Sequence, residues 1–211
     1  GGASSEKITS INKTVDGGYI LGGSSSSDIS GDKTELCIGT GSDYWIVKID
    51  SFGNILWQNA IGGYLNDVLV SIQQTSDGGF ILGGYSQSDV SGDKTENCLG
   101  LESYWIVKTD SVGNIQWQNT IGGNGYDKLC SIQQTTDGGF ILGGSSTSDI
   151  SGDKTENNLG SLYDFWIVKT DSLGQILWQN TIGGINNDFL ISIKETTDGG
   201  FILGGSSNSN I

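Results

Sequence analysis

The sequence predicts an all-β protein of β-propeller type, about 3.5 four-stranded antiparallel blades forming a fragment or an incomplete ring, and three observations predict it. Asp-Gly-Gly recurs as Asp16-Gly17-Gly18, Asp77-Gly78-Gly79, Asp137-Gly138-Gly139 and Asp198-Gly199-Gly200, at intervals of 61, 60 and 61 residues. Each recurrence sits between two short apolar runs, and a second such pair follows before the next. No stretch carries the 3.6-residue apolar period with caps that a helix needs. Four-stranded units repeating every ~40–60 residues pack face to face around an axis as blades. The repeats are bounded at about 6–66, 67–126 and 127–187, with a half repeat at 188–211, all within one repeat domain, 1–211.

Within a unit the strands follow in order. In the second copy Ser71-Ile72-Gln73-Gln74-Thr75 leads to Asp77-Gly78, and Phe80-Ile81-Leu82-Gly83-Gly84 leads away. Asp-Gly between two such runs predicts a hairpin, since the turn needs positive φ and glycine supplies it. The second hairpin runs through Tyr104-Trp105-Ile106-Val107-Lys108-Thr109-Asp110, turns at Ser111-Val112-Gly113-Asn114, and returns through Ile115-Gln116-Trp117-Gln118-Asn119-Thr120-Ile121. The unbroken run Trp105-Ile106-Val107 predicts a strand covered on both faces. The return strand alternates Ile115 and Trp117 with Gln116 and Gln118, as a strand nearer solvent does. The two tryptophans of each unit (Trp45 and Trp57, Trp105 and Trp117, Trp166 and Trp178) are expected to pack between blades.

Composition narrows the function. Ten lysines, no arginine and 24 acidic residues give a net charge of −14, which disfavours nucleic acid and anionic membrane surfaces. No apolar run approaches the ~20 residues of a membrane span, so no membrane insertion is expected, and the first residues lack the basic and hydrophobic regions of a signal peptide. Histidine is absent, removing the most frequent general base. Cys37, Cys98 and Cys130 match no disulfide framework or common zinc spacing and are expected to be unpaired.

Between the hairpins each full unit inserts a polar loop with oxygen side chains at alternate positions. The candidate ligands are Asp28, Ser30, Asp32, Thr34 and Glu35, then Asp89, Ser91, Asp93, Thr95 and Glu96, then Asp149, Ser151, Asp153, Thr155 and Glu156. Alternate oxygens in a glycine-containing loop suit calcium, which gathers six to eight of them within ~2.5 Å. Glycine stands at the fourth position, however, a lysine lies inside each loop (Lys33, Lys94, Lys154), and the distant bidentate glutamate of a calcium loop is missing. The same residues also suit a turn in which aspartate and serine bond their own backbone, with the lysine and glutamate simply solvated. Asp67, Asp127 and Asp188, in the link to the next unit, are expected on the same edge of the blade as these loops, as further ligands or as turn caps.

The Asp-Ser-x-Gly-Asn-Ile-x-Trp-Gln-Asn hairpin resembles the tryptophan-containing blades of quinoprotein-like propellers. The whole unit, from Thr-x-Asp-Gly-Gly-Phe-Ile-Leu-Gly-Gly-Ser through Ser-Gly-Asp-Lys-Thr-Glu to Tyr-Trp-Ile-Val-Lys-Thr-Asp-Ser, resembles tandem repeats of large secreted bacterial surface proteins, commonly type IX secretion cargoes. That resemblance covers residues 6–211 and implies an extracellular or cell-surface setting, without an activity; the sorting domain of such cargoes is not in this sequence.

Nearly every polar group occurs three times, whereas catalysis needs one asymmetric constellation. The expectation is therefore a non-catalytic surface module for adhesion, binding or spacing, stabilised by one calcium per blade. Its partners would be other parts of a larger surface protein or assembly, or a glycan or protein ligand. The alternative is a carbohydrate-binding propeller lectin, presenting Tyr44, Tyr104 or Phe165 to a sugar.

Overall fold

A computed structural model describes residues 1–209; the last two residues of the half repeat, 210 and 211, lie outside the described residues. Its strands form three four-stranded antiparallel sheets and one two-stranded sheet. The first sheet holds β1 (Glu6–Lys13), β2 (Tyr19–Ser25), β3 (Asp43–Ile49) and β4 (Ile55–Ile61). The second holds β5 (Asp67–Gln74), β6 (Phe80–Ser86), β7 (Ser103–Thr109) and β8 (Ile115–Ile121). The third holds β9 (Asp127–Gln134), β10 (Phe140–Ser146), β11 (Asp164–Thr170) and β12 (Ile176–Ile182), and β13 (Asp188–Glu195) pairs with β14 (Phe201–Ser207). Each unit is a meander, A to D, and all four A strands line one groove, so the units are propeller-like blades set side by side about a common axis.

The turns form as their glycines allow. Gly17, Gly78, Gly138 and Gly199 close the first hairpins at φ between 82° and 85°, and Gly53, Gly113 and Gly174 close the second at 80° to 90°. Strand C is buried along nearly its whole length and strand D is half exposed, as the apolar patterning predicts.

One device makes the blades stack. In a regular strand, residues three apart point to opposite faces. The register of every A strand shifts by one residue, between Leu69 and Ser71 in β5, which resets the alternation. Leu69 and Ile72 therefore both face the preceding blade, and both sit at Gly22 of its B strand, where an added Cβ would lie 2.8 Å from Leu69 and 2.9 Å from Ile72. Gly83 takes Leu129 and Ile132 in the same way, and Gly143 takes Leu190 and Ile193. Glycine is required there because the side chains of the next blade fill the place of its own.

Aromatic side chains seal the outer half of each joint. The Tyr44 hydroxyl donates to the Trp105 carbonyl at 2.9 Å and the Tyr104 hydroxyl to that of Trp166 at 3.0 Å. Their rings lie 4.8 and 4.9 Å apart. Trp57 and Trp117 meet Phe80 and Phe140 edge-on at 5.8 and 5.7 Å. The inter-blade role expected of the tryptophans holds for Trp57, Trp105, Trp117, Trp166 and Trp178, while Trp45 of the first blade bonds Gln58 of its own blade.

Candidate functional site: the loop face

The B–C loops and the D-to-A links emerge on the same edge of each blade and are bonded to one another. The Asp93 amide donates to the Gly62 carbonyl at 2.9 Å and the Gly62 amide to Asp93 Oδ2 at 3.2 Å. Asp153 does the same with Gly122. Asp32 makes the corresponding pair with Gly1, here with the terminal ammonium, at 2.9 Å. Each loop therefore fastens its own blade to the segment that arrives from the preceding one.

The other candidate ligands point to separate backbone groups. Ser91 Oγ accepts from Tyr64 N and Ser151 Oγ from Asn124 N, while Ser30 Oγ accepts from Ala3 N, all at 2.9 Å. Asp89 and Asp149 accept from the amides of Cys98 and Asn158. Glu96 and Glu156 accept from Thr120 and Thr181 in strand D. Asp28, Thr34, Glu35, Thr95 and Thr155 lie in the same loops. Among the described residues no three acidic, cysteine or histidine side chains are grouped to hold a metal ion.

The lysine of each loop lies inside it. Lys33, Lys94 and Lys154 are each 1% exposed. Lys33 Nζ donates to the carbonyls of Ser27 and Glu35 at 2.7 Å, Lys94 to Glu96 at 2.9 Å and to the Thr120 hydroxyl, and Lys154 to Ser148 at 2.8 Å. Lys94 lies 5.5 Å from the Trp105 ring and Lys154 6.0 Å from Trp166. Burial lowers the pKa of Lys94 and Lys154, opposed by nearby carboxylates, Asp67 and Asp127 first among them. At Lys33 two backbone carbonyls converge on the ammonium group, acceptors of the kind a metal ion would use. The turn reading of these loops leaves their lysines solvated, which their burial overturns; the recurrence of lysine at one place in three loops is the signal in the sequence that could have shown it.

Beneath the loops runs a row of buried aspartates. Asp67 accepts from Gly63 N at 2.6 Å and Ser88 Oγ at 3.1 Å, and Asp127 from Gly123 N and Ser148 Oγ. They cap the link turns, and burial raises their pKa values. At two joints a second aspartate enters from strand C. Asp164 and Asp188 share one donor, Gly184 N, at 3.1 and 2.8 Å. Asp43 accepts from Ile38 N at 2.6 Å through Oδ2, while its Oδ1 is buried without a hydrogen-bond partner. Burial foremost, and then the charge of Asp67, push Asp43 up to about 6. At the middle joint the residue is Ser103. The sequence placed Asp67, Asp127 and Asp188 on this edge as ligands or turn caps, and they cap the turns; it missed their partners Asp43 and Asp164, because the paired residues belong to different blades.

The lectin expectation fails for two of its aromatics. Tyr44 and Tyr104 are 0% exposed, since each is consumed by the next blade's tryptophan, and Phe165 is half-buried. The loop face exposes other apolar groups, among them Tyr64 and Tyr126 in the links at 58% and 40% exposure. Ile29, Val90 and Ile150 occupy the same place in the three loops at 59%, 58% and 60% exposure, followed by exposed Leu36, Leu99 and Leu159. On the axis, the groove of about 450 Å³ is lined by hydroxyls and amides, including Ser10, Asn12, Ser71, Gln73, Ser131 and Gln133, with Lys194 at one side.

No protein-family model matches the chain. Over 196 aligned residues it is 26% identical to an uncharacterized WD repeat-containing protein of Acanthamoeba polyphaga mimivirus, which supports a propeller-type repeat protein. The alignment covers 80% of this chain and 14% of that relative, so the chain spans about a seventh of the relative's length.

Proposed function

We propose that the chain is a non-catalytic binding module that presents its loop face to a protein partner, in an extracellular or cell-surface setting. The observation that carries the reading is the threefold display of Ile29, Val90 and Ile150. Apolar side chains are costly to leave in water, and these three recur at one place in successive loops, a repeated display that suits recognition. Here they stand on loops clamped to the neighbouring blade, so presenting them costs little ordering entropy. The acids around them, with Asp28, Asp89, Asp149, Glu96 and Glu156 at the surface, favour a partner with an apolar centre and a basic rim. The polar groups of the loops are spent on backbone amides, which suits a scaffold better than a reaction. The surface setting rests on the resemblance of the repeat to secreted surface proteins.

In each loop the buried lysine ammonium takes the organising place that calcium would otherwise fill. Panning a displayed random-peptide library against the chain tests the binding face. Enriched peptides should combine apolar and basic residues, weaken with salt, and fail to bind the Ile29→Ser, Val90→Ser, Ile150→Ser triple variant. Peptides that bind the variant equally well, or no enrichment, would refute the reading.

A further inference from the structure

The buried aspartates beneath the loops carry oxygens that the fold leaves without a donor, and these fall where two aspartates meet. In the first joint Asp43 and Asp67 are both 0% exposed, and Oδ1 of each is buried without a hydrogen-bond partner. In the third joint Asp188 Oδ1 is in the same state, and Asp164 and Asp188 approach closely enough to share the Gly184 amide. Where Ser103 replaces the second aspartate, both oxygens of Asp127 are bonded, each by the Ser148 hydroxyl and Oδ2 also by Gly123 N. The backbone holds the first pair together, since Asp67 N donates to the carbonyl of Ser42, the neighbour of Asp43, at 2.7 Å. Lys33 and Lys94 lie nearby, but their ammonium groups donate to carbonyls and a hydroxyl. Cys37 and Tyr44 are the other titratable neighbours, and burial pushes the Cys37 thiol up to about 11 and the Tyr44 hydroxyl well up from its ordinary value. None of these groups donates to the two free oxygens.

We infer that the first joint binds one proton, shared by Asp43 and Asp67 between their two free oxygens, and that its release loosens the clamp between the loops of the first two blades. Two carboxylates buried side by side cannot both stay charged, and a proton on one makes it the donor that the other lacks. Burial, and then the Asp67 charge, raise Asp43 to about 6, so the proton leaves as the pH approaches neutrality, and it belongs to the pair rather than to either residue. The other oxygens of the pair show what its release disturbs. Asp43 Oδ2 accepts from Ile38 N in the first loop, and Asp67 Oδ2 from Gly63 N in the link. That link is bonded forward to the second loop, Tyr64 N to Ser91 Oγ and Leu65 N to Ser88 Oγ, both at 2.9 Å. It is bonded back to the first through Thr40 N and the Tyr64 carbonyl at 3.0 Å. With the proton bound, Ile29 and Val90 stand on loops joined through the pair; without it, repulsion acts on both attachments. The consequence for binding rests on the protein-partner reading above, whereas the proton site does not.

The test is amide hydrogen exchange of the 211-residue chain by NMR from pH 5 to pH 8, with no partner added. It compares the protection of Gly63 N with that of Gly123 N, which lies in the joint without a pair. Gly63 should lose protection roughly tenfold or more as the pH rises through about 6, and Gly123 should not. Asp43→Asn puts a fixed N–H where the proton sits, so it should keep Gly63 protected at pH 8. Ser103→Asp builds a second pair and should give Gly123 the same loss. Equal behaviour of the two glycines in the unaltered chain overturns the inference. So does a Gly63 that still responds to pH in Asp43→Asn, or a Gly123 left unmoved by Ser103→Asp. Millimolar calcium that restores Gly63 protection at pH 8 also overturns it, by making the free oxygens ligands of a metal ion. Because exchange is read without a partner, a failure of peptide binding counts against the binding reading alone.

Discussion

Replacing Asp43 by serine should stabilise the protein at neutral and alkaline pH and lose that advantage in acid. Asp43 is fully buried at the joint of the first two blades, across from Asp67, with Oδ1 unpartnered. Burial, followed by the Asp67 charge, lifts its pKa from 3.8 to about 6. A carboxyl whose folded pKa lies above its unfolded value favours the fold while protonated. That contribution is complete below the unfolded pKa and is lost as pH rises through the folded one. At 1.36 kcal/mol per unit the full shift corresponds to about 3 kcal/mol, which residual solvent screening reduces to about 1–2 kcal/mol. Serine is the chain's own alternative: Ser103 holds the corresponding place in the middle joint, and its Oγ accepts from Leu99 N at 3.1 Å, as Asp43 accepts from Ile38 N. Urea unfolding of the native chain and Asp43→Ser from pH 4 to pH 8 reads the difference directly. The variant should gain about 1–2 kcal/mol at pH 8, with the gap closing below about pH 5. A difference that stays constant across that range, or that favours aspartate at pH 8, would show that burial beside Asp67 does not penalise the Asp43 charge as assigned.

Three further outcomes follow from the same joints. Gly83→Ala should cost about 1–3 kcal/mol through overpacking, because Ile132 and Leu129 lie 2.9 Å from the added Cβ, whereas Gly204→Ala should leave the melt of the dilute chain unchanged; thermal unfolding of the two side by side checks it. Lys94→Met should destabilise by about 2–4 kcal/mol in denaturant unfolding, since it strips the Glu96 carbonyl of its donor and leaves Asp67 without the nearby positive charge. Millimolar calcium and then a chelator should give the same melting midpoint. A ligand held only by the folded state raises stability, so a higher midpoint in calcium would restore metal to the loops and displace the lysine reading.

Much of the fold is legible in the sequence because it is set locally. Asp-Gly at a 60-residue rhythm fixes the first hairpins through the positive φ that glycine tolerates at Gly78, and Gly113 does the same for the second. The run Trp105-Ile106-Val107 marks a strand covered on both sides before any partner is known. The loop is where local reasoning stops. Alternating oxygens at Asp89, Ser91, Asp93 and Thr95 read equally as a cation cage or as a set of separate clasps, because spacing along the chain does not say where a side chain points. Tertiary structure sends Asp93 to the Gly62 amide and turns Lys94 inward to the carbonyls. Tyr44 was legible as an aromatic at a blade edge, and only the stacking of the next blade shows that no sugar can reach it.

The repeat, its two hairpins and the blade they make were thus determined by the sequence alone, since strand pairing and turn geometry depend on neighbours a few residues away. The tertiary structure alone decided which groups meet across a joint: Asp43 with Asp67, Leu69 and Ile72 with Gly22, and the loop lysine with its carbonyls. Those meetings depend on a one-residue bulge that swings side chains from one face to the other, and on blades some sixty positions apart in sequence coming into contact, neither of which residue spacing records.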